Sequence, residues 1–431
     1  MLSQAQTSAR YHVQAVDMEY YKRNIPCQYA CPAHTDARGY VNAIARGDME
    51  RAYYIARQPN PLATACGRIC VAPCEAACRR GKVDSAIPIR ALKRFVTRRY
   101  GVEGDYHTFP WTPPGNDNSR TFESQLAIGD RRGEGRVAVV GSGPAGLSAA
   151  HDLALLGYGV TMFEAMPSPG GYMATALPAY RLSRDLIHRE IEAILRLGVE
   201  VHTSSPKNSE AVAALKGQGY RAVFAATGLE KKQRPFFPEE GVFTEAGMGV
   251  EGGGIIHAVA IGHRAARAVD AFLLGKRCRI QTQGWLEPVD PSGFFDLSYL
   301  HTGRKDPSLD SFPIDGELEA AYTDEEAVAQ AHRCLTCSIQ TVFDGQKCIL
   351  CGGCVDVCPM SCLKLVGIDQ MYGETPVAAL IEEETSGGRR PVAAMIKDET
   401  RCIRCGLCHK RCPTAAVQLM AFRFEEEVVY D

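Results

Sequence analysis

Residues 136–165 read RVAVVGSGPAGLSAAHDLALLGYGVTMFEA. An apolar strand, a glycine-rich turn, a helix-forming stretch and a second apolar strand ending in an acid follow one another, the order of a β-α-β unit in a parallel sheet. In that setting each glycine has a task. Gly141 permits the tight turn, Gly143 lets the backbone approach a pyrophosphate, and Gly146 lets the helix pack on the strand. Ser142, Pro144 and Ala145 complete the loop at a helix N-terminus whose dipole favours phosphate charge. Glu164, 21 residues beyond Gly143 and followed by Ala165, stands where an acid accepts hydrogen bonds from a ribose hydroxyl. The segment therefore reads as an α/β dinucleotide-binding domain for an adenosine with a free 2′-hydroxyl. The motif alone does not separate FAD from NAD.

Outward from this unit the informative residue is cysteine, present 18 times in 431 residues. The 48 basic and 50 acidic residues nearly cancel, which favours neither nucleic acid nor an anionic membrane as a partner. Met1 to Ala15 is polar and lacks the apolar centre of a secretory signal. The apolar stretch around Val137 to Val160 is broken by glycines and by His151 and Asp152, so it makes a poor membrane span. A cytoplasmic, soluble protein is expected, and there cysteines read as metal or redox ligands rather than disulfides.

Cys348, Cys351, Cys354 and Cys358 with Pro359 form C-x2-C-x2-C-x3-C-P, and Cys402, Cys405, Cys408 and Cys412 with Pro413 repeat it. This is the signature of a two-cluster [4Fe–4S] ferredoxin, in which the fourth cysteine of each run crosses to the other cluster. Cys348, Cys351, Cys354 and Cys412 are expected to hold one cluster, and Cys402, Cys405, Cys408 and Cys358 the other. Paired zinc sites are the alternative, but zinc runs rarely show a third cysteine with C-x3-C-P behind it. Cys362 reads as a spare packing thiol. Residues 359–401 exceed what the compact fold needs, so an added hairpin or docking loop is expected there.

Near the other end lie Cys27 and Cys31 with Pro32, then Cys66, Cys70, Cys74 and Cys78 at intervals of four. With Pro73 among them, the latter four read as a cluster-wrapping loop. Six cysteines cannot complete two four-thiolate cubanes. Cys334 and Cys337, in AHRCLTC, belong to neither ferredoxin repeat and supply the deficit. Thr323 and Glu326 form a capping box for a short alanine-rich helix that ends at this pair. An exposed redox pair or a zinc half-site is the alternative for these two. Cys278 stands alone.

The motifs IPCQYACPAHTD (25–36), NPLATACGRICVAPCEAACRRGKVD (60–84) and AIPIRALKRFV (86–96), followed by the glycine-rich unit, resemble the small-subunit family of NADPH-dependent glutamate synthase, whose iron–sulfur domain also opens dihydropyrimidine dehydrogenase. The resemblance covers about residues 20–275. It implies FAD rather than NAD in the Rossmann-like domain. The segment SPGGYMATALPAYRL (168–182), with Gly170, Gly171, Tyr172 and Arg181, resembles the one lying along the flavin. YRAVFAATG (220–228), with Thr227 and Gly228, resembles the returning strand, and residues 241–273, with Gly247 and Met248, the closing strand and helix. It also implies one N-terminal cluster on Cys27, Cys78, Cys334 and Cys337, and a second on Cys31, Cys70 and Cys74. Some relatives take the fourth ligand of the second from the segment that is ALKRF here, but Lys93 and Arg94 are cationic, which leaves Cys66 as the candidate. In three places the sequence departs from the family. RCLTC usually precedes the first motif and here follows the flavin domain. Met248 stands where an aspartate normally holds a ribityl hydroxyl. Only residues 229–240 occupy the place of a whole nicotinamide-binding domain.

The expected architecture is multidomain: an α-helical iron–sulfur domain (1–130), an α/β Rossmann-like FAD domain (131–279), a linker and returning cluster-ligand segment (280–340), and an α+β two-[4Fe–4S] ferredoxin domain (341–431). No catalytic triad or carboxylate pair for an organic substrate is evident, and His34, His257 and His263 read as packing or surface residues. The expected function is electron transfer by four [4Fe–4S] clusters and one FAD, with NAD(P) as exchangeable substrate and a catalytic partner subunit such as a tungsten aldehyde oxidoreductase. The alternatives are a free-standing NAD(P)H:ferredoxin oxidoreductase and a non-enzymatic iron–sulfur relay with a structural flavin fold.

Overall fold

The computed structural model describes residues 10–14, 16–104, 133, 135–228, 240–293, 297–309, 318–386 and 393–431. Most of Met1 to Ala15, read above as polar, and residues 229–239, nearly all of the short stretch 229–240 singled out above, lie outside the described residues.

After a short strand β1 (Tyr11–Val13) the first module is helical: α1 (Met18–Arg23), α2 (Pro26–Tyr29), α3 (Ala37–Ala45), α4 (Met49–Arg57), α5 (Ala63–Ile69), α6 (Pro73–Ala76) and α7 (Ile89–Tyr100). Aspartates set three of the starts, since Asp17, Asp36 and Asp48 accept hydrogen bonds from the N–H groups of Tyr20, Gly39 and Arg51. Proline opens α2 and α6, where its missing N–H is not needed. Tyr40, Ile44, Ala52, Leu92 and Val96 fill the core between α3, α4 and α7. The run from Cys66 to Cys78 is not the single loop expected. Cys66 lies inside α5, Cys70 caps it, and Cys74 lies inside α6. Ala72, left-handed at φ 50°, breaks the helix between them.

The second module contains β2 (Arg136–Val140), α8 (Pro144–Leu155), β3 (Gly159–Phe163), α9 (Tyr172–Thr175), α10 (Arg184–Leu195), β4 (Glu200–His202), α11 (Ser209–Ala214), β5 (Tyr220–Ala225), β6 (Val242–Thr244) and α12 (Ile255–Leu274). Its strands form a parallel sheet in the order β4-β3-β2-β5-β6. Val137 and Val139 enter one core and Ala138 and Val140 another, which is why β2 is apolar throughout. Helices α8 and α12 pack closely because Gly262 has no side chain: a Cβ there would lie 2.5 Å from the Ala145 carbonyl oxygen.

The remainder comprises β7 (Cys278–Pro288), α13 (Asp324–His332), β8 (Ile339–Phe343), α14 (Gly353–Asp356), β9 (Leu363–Gly367), β10 (Met371–Gly373), α15 (Thr375–Ser386), β11 (Ala393–Lys397), α16 (Leu407–Arg411) and β12 (Val417–Tyr430). Strand β12 runs antiparallel between β7 and β8. Part of the stretch read as linker is therefore ordered strand. β7 pairs with the end of the chain, from Cys278 opposite Tyr430 to Pro288 opposite Met420. The long insert contains the antiparallel pair β9 and β11 with α15 between them in sequence, and β10 pairs in parallel with β1. Among the described residues no helix is long and apolar enough to cross a membrane.

Candidate functional site

The turn between β2 and α8 forms a cradle. Gly141 adopts φ 102°, and a Cβ on it would stand 2.2 Å from the Ala226 carbonyl oxygen. A Cβ on Gly146 would lie 2.0 Å from the Gly141 carbonyl oxygen, whereas one on Gly143 would meet nothing within 4 Å. The backbone is thus closed behind the loop and open at the point where a pyrophosphate would approach a helix N-terminus. Glu164 is buried at the end of β3. Its carboxylate accepts from the Ser142 N–H at 2.9 Å, the Ser142 hydroxyl and the Met166 N–H at 2.8 Å.

Gly170 donates its N–H to Ser142 Oγ at 2.9 Å, and a Cβ on Gly171 would fall 2.9 Å from Gly143 Cα. The 168–182 segment therefore lies on the cradle, although Tyr172 and Arg181 point to solvent. Ala165, Gly228 and Gly247 are exposed and Thr227 is half-buried. Met248 is buried, and its carbonyl accepts from Arg264 Nη1 at 2.9 Å. The residues fit a dinucleotide. They would hold its pyrophosphate on the 141–146 turn and its ribose at Glu164.

Cys27, Cys78, Cys334 and Cys337 line one small hollow with Arg38, Arg79 and Arg80. Burial, with Cys337, Cys334 and Cys78 nearby, pushes the Cys27 thiol far up, an opposition to ionisation that a bound cationic core would relieve. The returning pair reaches this hollow because the expected capping box on α13 forms: Thr323 Oγ accepts from the Glu326 N–H and Glu326 from the Thr323 N–H. Arg333 then pins the chain, as its buried guanidinium donates to Asp84, Ser85, Ala86 and Thr302.

Cys31, Cys66 and Cys70 lie where the helical module packs against the Rossmann-like module, and Cys74 adjoins Cys31 and Cys70 while packing against the helical core. Cys31 and Cys66 share a core with Val137, Leu147 and Ile255. Cys66 hydrogen-bonds to Cys70, and burial together with Cys31 pushes the Cys74 thiol up. Lys93 is buried beside this set, its ammonium 5.7 Å from the Tyr40 ring centre, and its charge favours the thiolates of Cys70 and Cys74. Glu190 was not identifiable as part of the site from sequence. This buried carboxylate on α10 accepts from the N–H groups of Thr64 and Ala65 at 2.6 and 3.0 Å, fixing the start of α5 and with it Cys66.

In the C-terminal module Cys358, Cys402, Cys405 and Cys408 line a common hollow, the crossed set expected from the two runs. Cys362, read as a spare packing thiol, is buried in its wall with its Sγ 3.3 Å from that of Cys358. Cys348 and Cys351 face Cys354, and Cys412 directly follows α16. Among the described residues no three His, Cys, Asp or Glu side chains converge on a single-ion site. Two of the expected sets do surround a space, Cys27, Cys78, Cys334 and Cys337 one hollow and Cys358, Cys402, Cys405 and Cys408 with Cys362 another, as a polynuclear core requires. His263, read as packing, bonds to Asp152 and to the Pro59 carbonyl and ties the modules together.

Family profiles match three segments: "dihydropyrimidine dehydrogenase domain II, 4Fe-4S cluster" at residues 18–104, "NAD(P)-binding Rossmann-like domain" at 139–214 and "4Fe-4S dicluster domain" at 347–416. The chain is 43% identical over 219 residues to the NADP(+)-dependent formate dehydrogenase subunit beta of Moorella thermoacetica, covering 48% of this chain and 30% of that one. It is 34% identical over 214 residues to the NADPH-Fe(3+) oxidoreductase subunit beta of Geobacter sulfurreducens, covering 49% and 29%. It is 31% identical over 207 residues to the NAD-dependent dihydropyrimidine dehydrogenase subunit PreT of Escherichia coli, covering 47% and 45%. The chain thus spans less than half the length of these curated relatives. With thiol sets at both ends and a Rossmann-like module between them, the chain carries two iron–sulfur domains around a NAD(P)-binding Rossmann-like domain, and about half of it is similar to subunits of NADP(H)- and NAD-linked oxidoreductases.

Proposed function

We propose that this chain is the FAD- and [4Fe–4S]-containing electron-transfer subunit of a larger cytoplasmic oxidoreductase, passing electrons between NAD(P)H and a catalytic partner. The observation that carries this reading is the serial placement of the thiol sets. The cradle at Gly143 belongs to the module that shares a core with Cys31 and Cys66. The Cys27, Cys78, Cys334 and Cys337 set follows, and Cys337 is joined through Ser338 to β8, the entry strand of the dicluster module. FAD when bound exchanges two electrons with a hydride carrier and one at a time with clusters, and four [4Fe–4S] clusters supply single-electron steps.

Residues 141–146, Glu164, Gly170 and Gly171 hold the dinucleotide in this reading, and Cys66 completes the set of Cys31, Cys70 and Cys74. The proposed domains remain 1–130 helical, 131–279 flavin-binding, 280–340 linker and returning ligand segment, and 341–431 ferredoxin, with β7 pairing against β12 of the last. The beta-subunit relatives named for NADPH support a nicotinamide-linked complex, and a tungsten aldehyde oxidoreductase is the proposed partner class.

The test is an anaerobic titration of the purified chain with NADH and then NADPH, after measuring its flavin and iron. Bleaching of the flavin at about one equivalent supports the nicotinamide-linked subunit. A flavin reduced by dithionite but by neither nicotinamide would make the chain a relay fed only through clusters. A chain without flavin would make the Rossmann-like module a scaffold.

A further inference from the structure

Arg404 lies in the loop between Cys402 and Cys405, with φ 61° and only 2% of its surface exposed. The corresponding residue of the first repeat, Leu350, has nearly the same backbone, φ 52°, yet is 37% exposed. The loops are alike and their surroundings differ, because the helical module covers the second one. The Arg404 guanidinium meets Glu399, whose carboxylate also lies 3.6 Å from Arg79 Nη1 and 2.8 Å from Lys397 Nζ. Arg79 lines the hollow of Cys27, Cys78, Cys334 and Cys337, and Arg404 lines that of Cys358, Cys402, Cys405 and Cys408. One chain of ion pairs, Arg79 to Glu399 to Arg404, therefore joins the walls of two thiol sets.

A second link runs beside it. The Tyr299 hydroxyl donates to the Ile403 carbonyl at 3.2 Å, while the Arg80 guanidinium, which lines the first hollow, stands 5.8 Å from the centre of the Tyr299 ring.

The charges at this junction do not balance. Arg79, Lys397 and Arg404 face the single carboxylate of Glu399, all of them largely buried. Buried positive charge in excess is costly unless anionic groups flank it. Four thiolates around an iron–sulfur core outweigh the charge of that core and make such a group, one on each side.

We infer that Arg404 marks the crossing point for electrons between the N-terminal and ferredoxin modules and, as a buried cation shared by both adjoining centres, raises their reduction potentials. The inference rests on the electron-transfer reading above. The step moves one electron only: one centre is oxidised, its neighbour is reduced, and no bond or proton moves. Reduction adds a negative charge, which a nearby cation stabilises strongly where water is excluded. Arg404 is a positioning residue for charge rather than a ligand.

The test is potentiometric titration of the full chain followed by electron paramagnetic resonance, on wild type, Arg404→Leu, Arg404→Lys and Glu399→Gln. Leucine suits the loop, since Leu350 already occupies the matching position with positive φ. Arg404→Leu should make two of the centres harder to reduce by at least tenfold in equilibrium constant, about 59 mV for one electron. Arg404→Lys should restore most of that, and Glu399→Gln should shift the same two centres in the opposite direction. Unchanged potentials, or shifts of one sign in both charge-altering variants, would overturn the assignment of Arg404 while leaving the electron-transfer reading intact. A wild-type chain with no iron–sulfur signal would overturn both.

Discussion

Arg333 donates to both carboxylate oxygens of Asp84, each at 3.1 Å, across 249 positions of chain. Arg80 grips the same carboxylate at 2.6 and 2.8 Å and also donates to the Arg333 carbonyl at 3.0 Å. The segment bearing Cys334 and Cys337 is therefore docked by its own arginine before any ligand holds it.

Replacing Arg333 with Met tests that docking. Methionine fills similar volume but leaves the carbonyls of Thr302 and Ser85 without the donor they share, while the Ala86 carbonyl keeps only Arg304. Asp84 is partly solvated and keeps Arg80, so the expected loss is about 1–3 kcal/mol rather than the cost of a fully buried charge. Iron analysis should show one cluster's worth of iron lost while the ferredoxin signals persist. Full iron content would mean that the cysteines alone hold the segment.

Spacing alone makes the two ferredoxin runs legible, and Cys358, Cys402, Cys405 and Cys408 do line one hollow; the grouping of Cys27 and Cys78 with the distant Cys334 and Cys337, which also share a hollow, follows from the family resemblance rather than from local spacing. The β-α-β unit was equally legible, since its glycines and Glu164 act within one supersecondary unit. What escaped depends on partners far along the chain. Strand β7 has no clean alternation, and its pairing residues lie between Met420 and Tyr430. Its strand character comes from a ladder that local propensity does not encode. Glu190 and Arg404 look like surface charges until the helical module closes over them. The error at 66–78 was of another kind: helices of seven and four residues, interrupted by a left-handed alanine, are too short to show a period.

Glu190 supplies the second prediction. Its carboxylate serves two N–H groups at the first turn of α5 and is itself buried, so the pair forms a cap contributed by another module. Glu190→Ala strands both donors and should destabilise the chain by about 1–3 kcal/mol in denaturant unfolding. Hydrogen exchange of Thr64 and Ala65 should accelerate. Unaltered exchange would show that α5 starts without this cap.

Asp152 makes stability fall in acid. It is fully buried, with His151 Nδ1 at 2.9 Å and His263 Nδ1 at 2.6 Å, and Arg57 and Arg267 also face this group. Burial opposes its ionisation, but His263 and His151 prevail and hold its carboxyl below the usual range, while burial pushes His151 down. Both shifts mean that the unfolded chain binds more protons in acid. Stability should therefore decline below the ordinary histidine range, near ~6.5, and again below the ordinary aspartate range, near ~3.9. Denaturant midpoints measured from neutral pH downward check this. Asp152→Asn should cost about 3–5 kcal/mol at neutral pH and flatten the more acidic limb. An identical acid limb in the variant would assign the decline to other groups.

Two glycines of one motif should fail in different ways. Gly143 has φ −66°, which alanine adopts freely, and a Cβ there would meet no protein atom within 4 Å. Gly143→Ala should leave thermal unfolding of the ligand-free chain within about 0.5 kcal/mol of wild type, yet lower the flavin retained on purification, because the methyl group occupies the path of the pyrophosphate. Gly146→Ala places its methyl 2.0 Å from the Gly141 carbonyl oxygen, a backbone atom that cannot swing aside. That change should destabilise the module by about 1–3 kcal/mol or more, with or without ligand. The contrast separates a residue kept small for the fold from one kept small for a bound group. Full flavin content in Gly143→Ala would place the dinucleotide somewhere other than this turn.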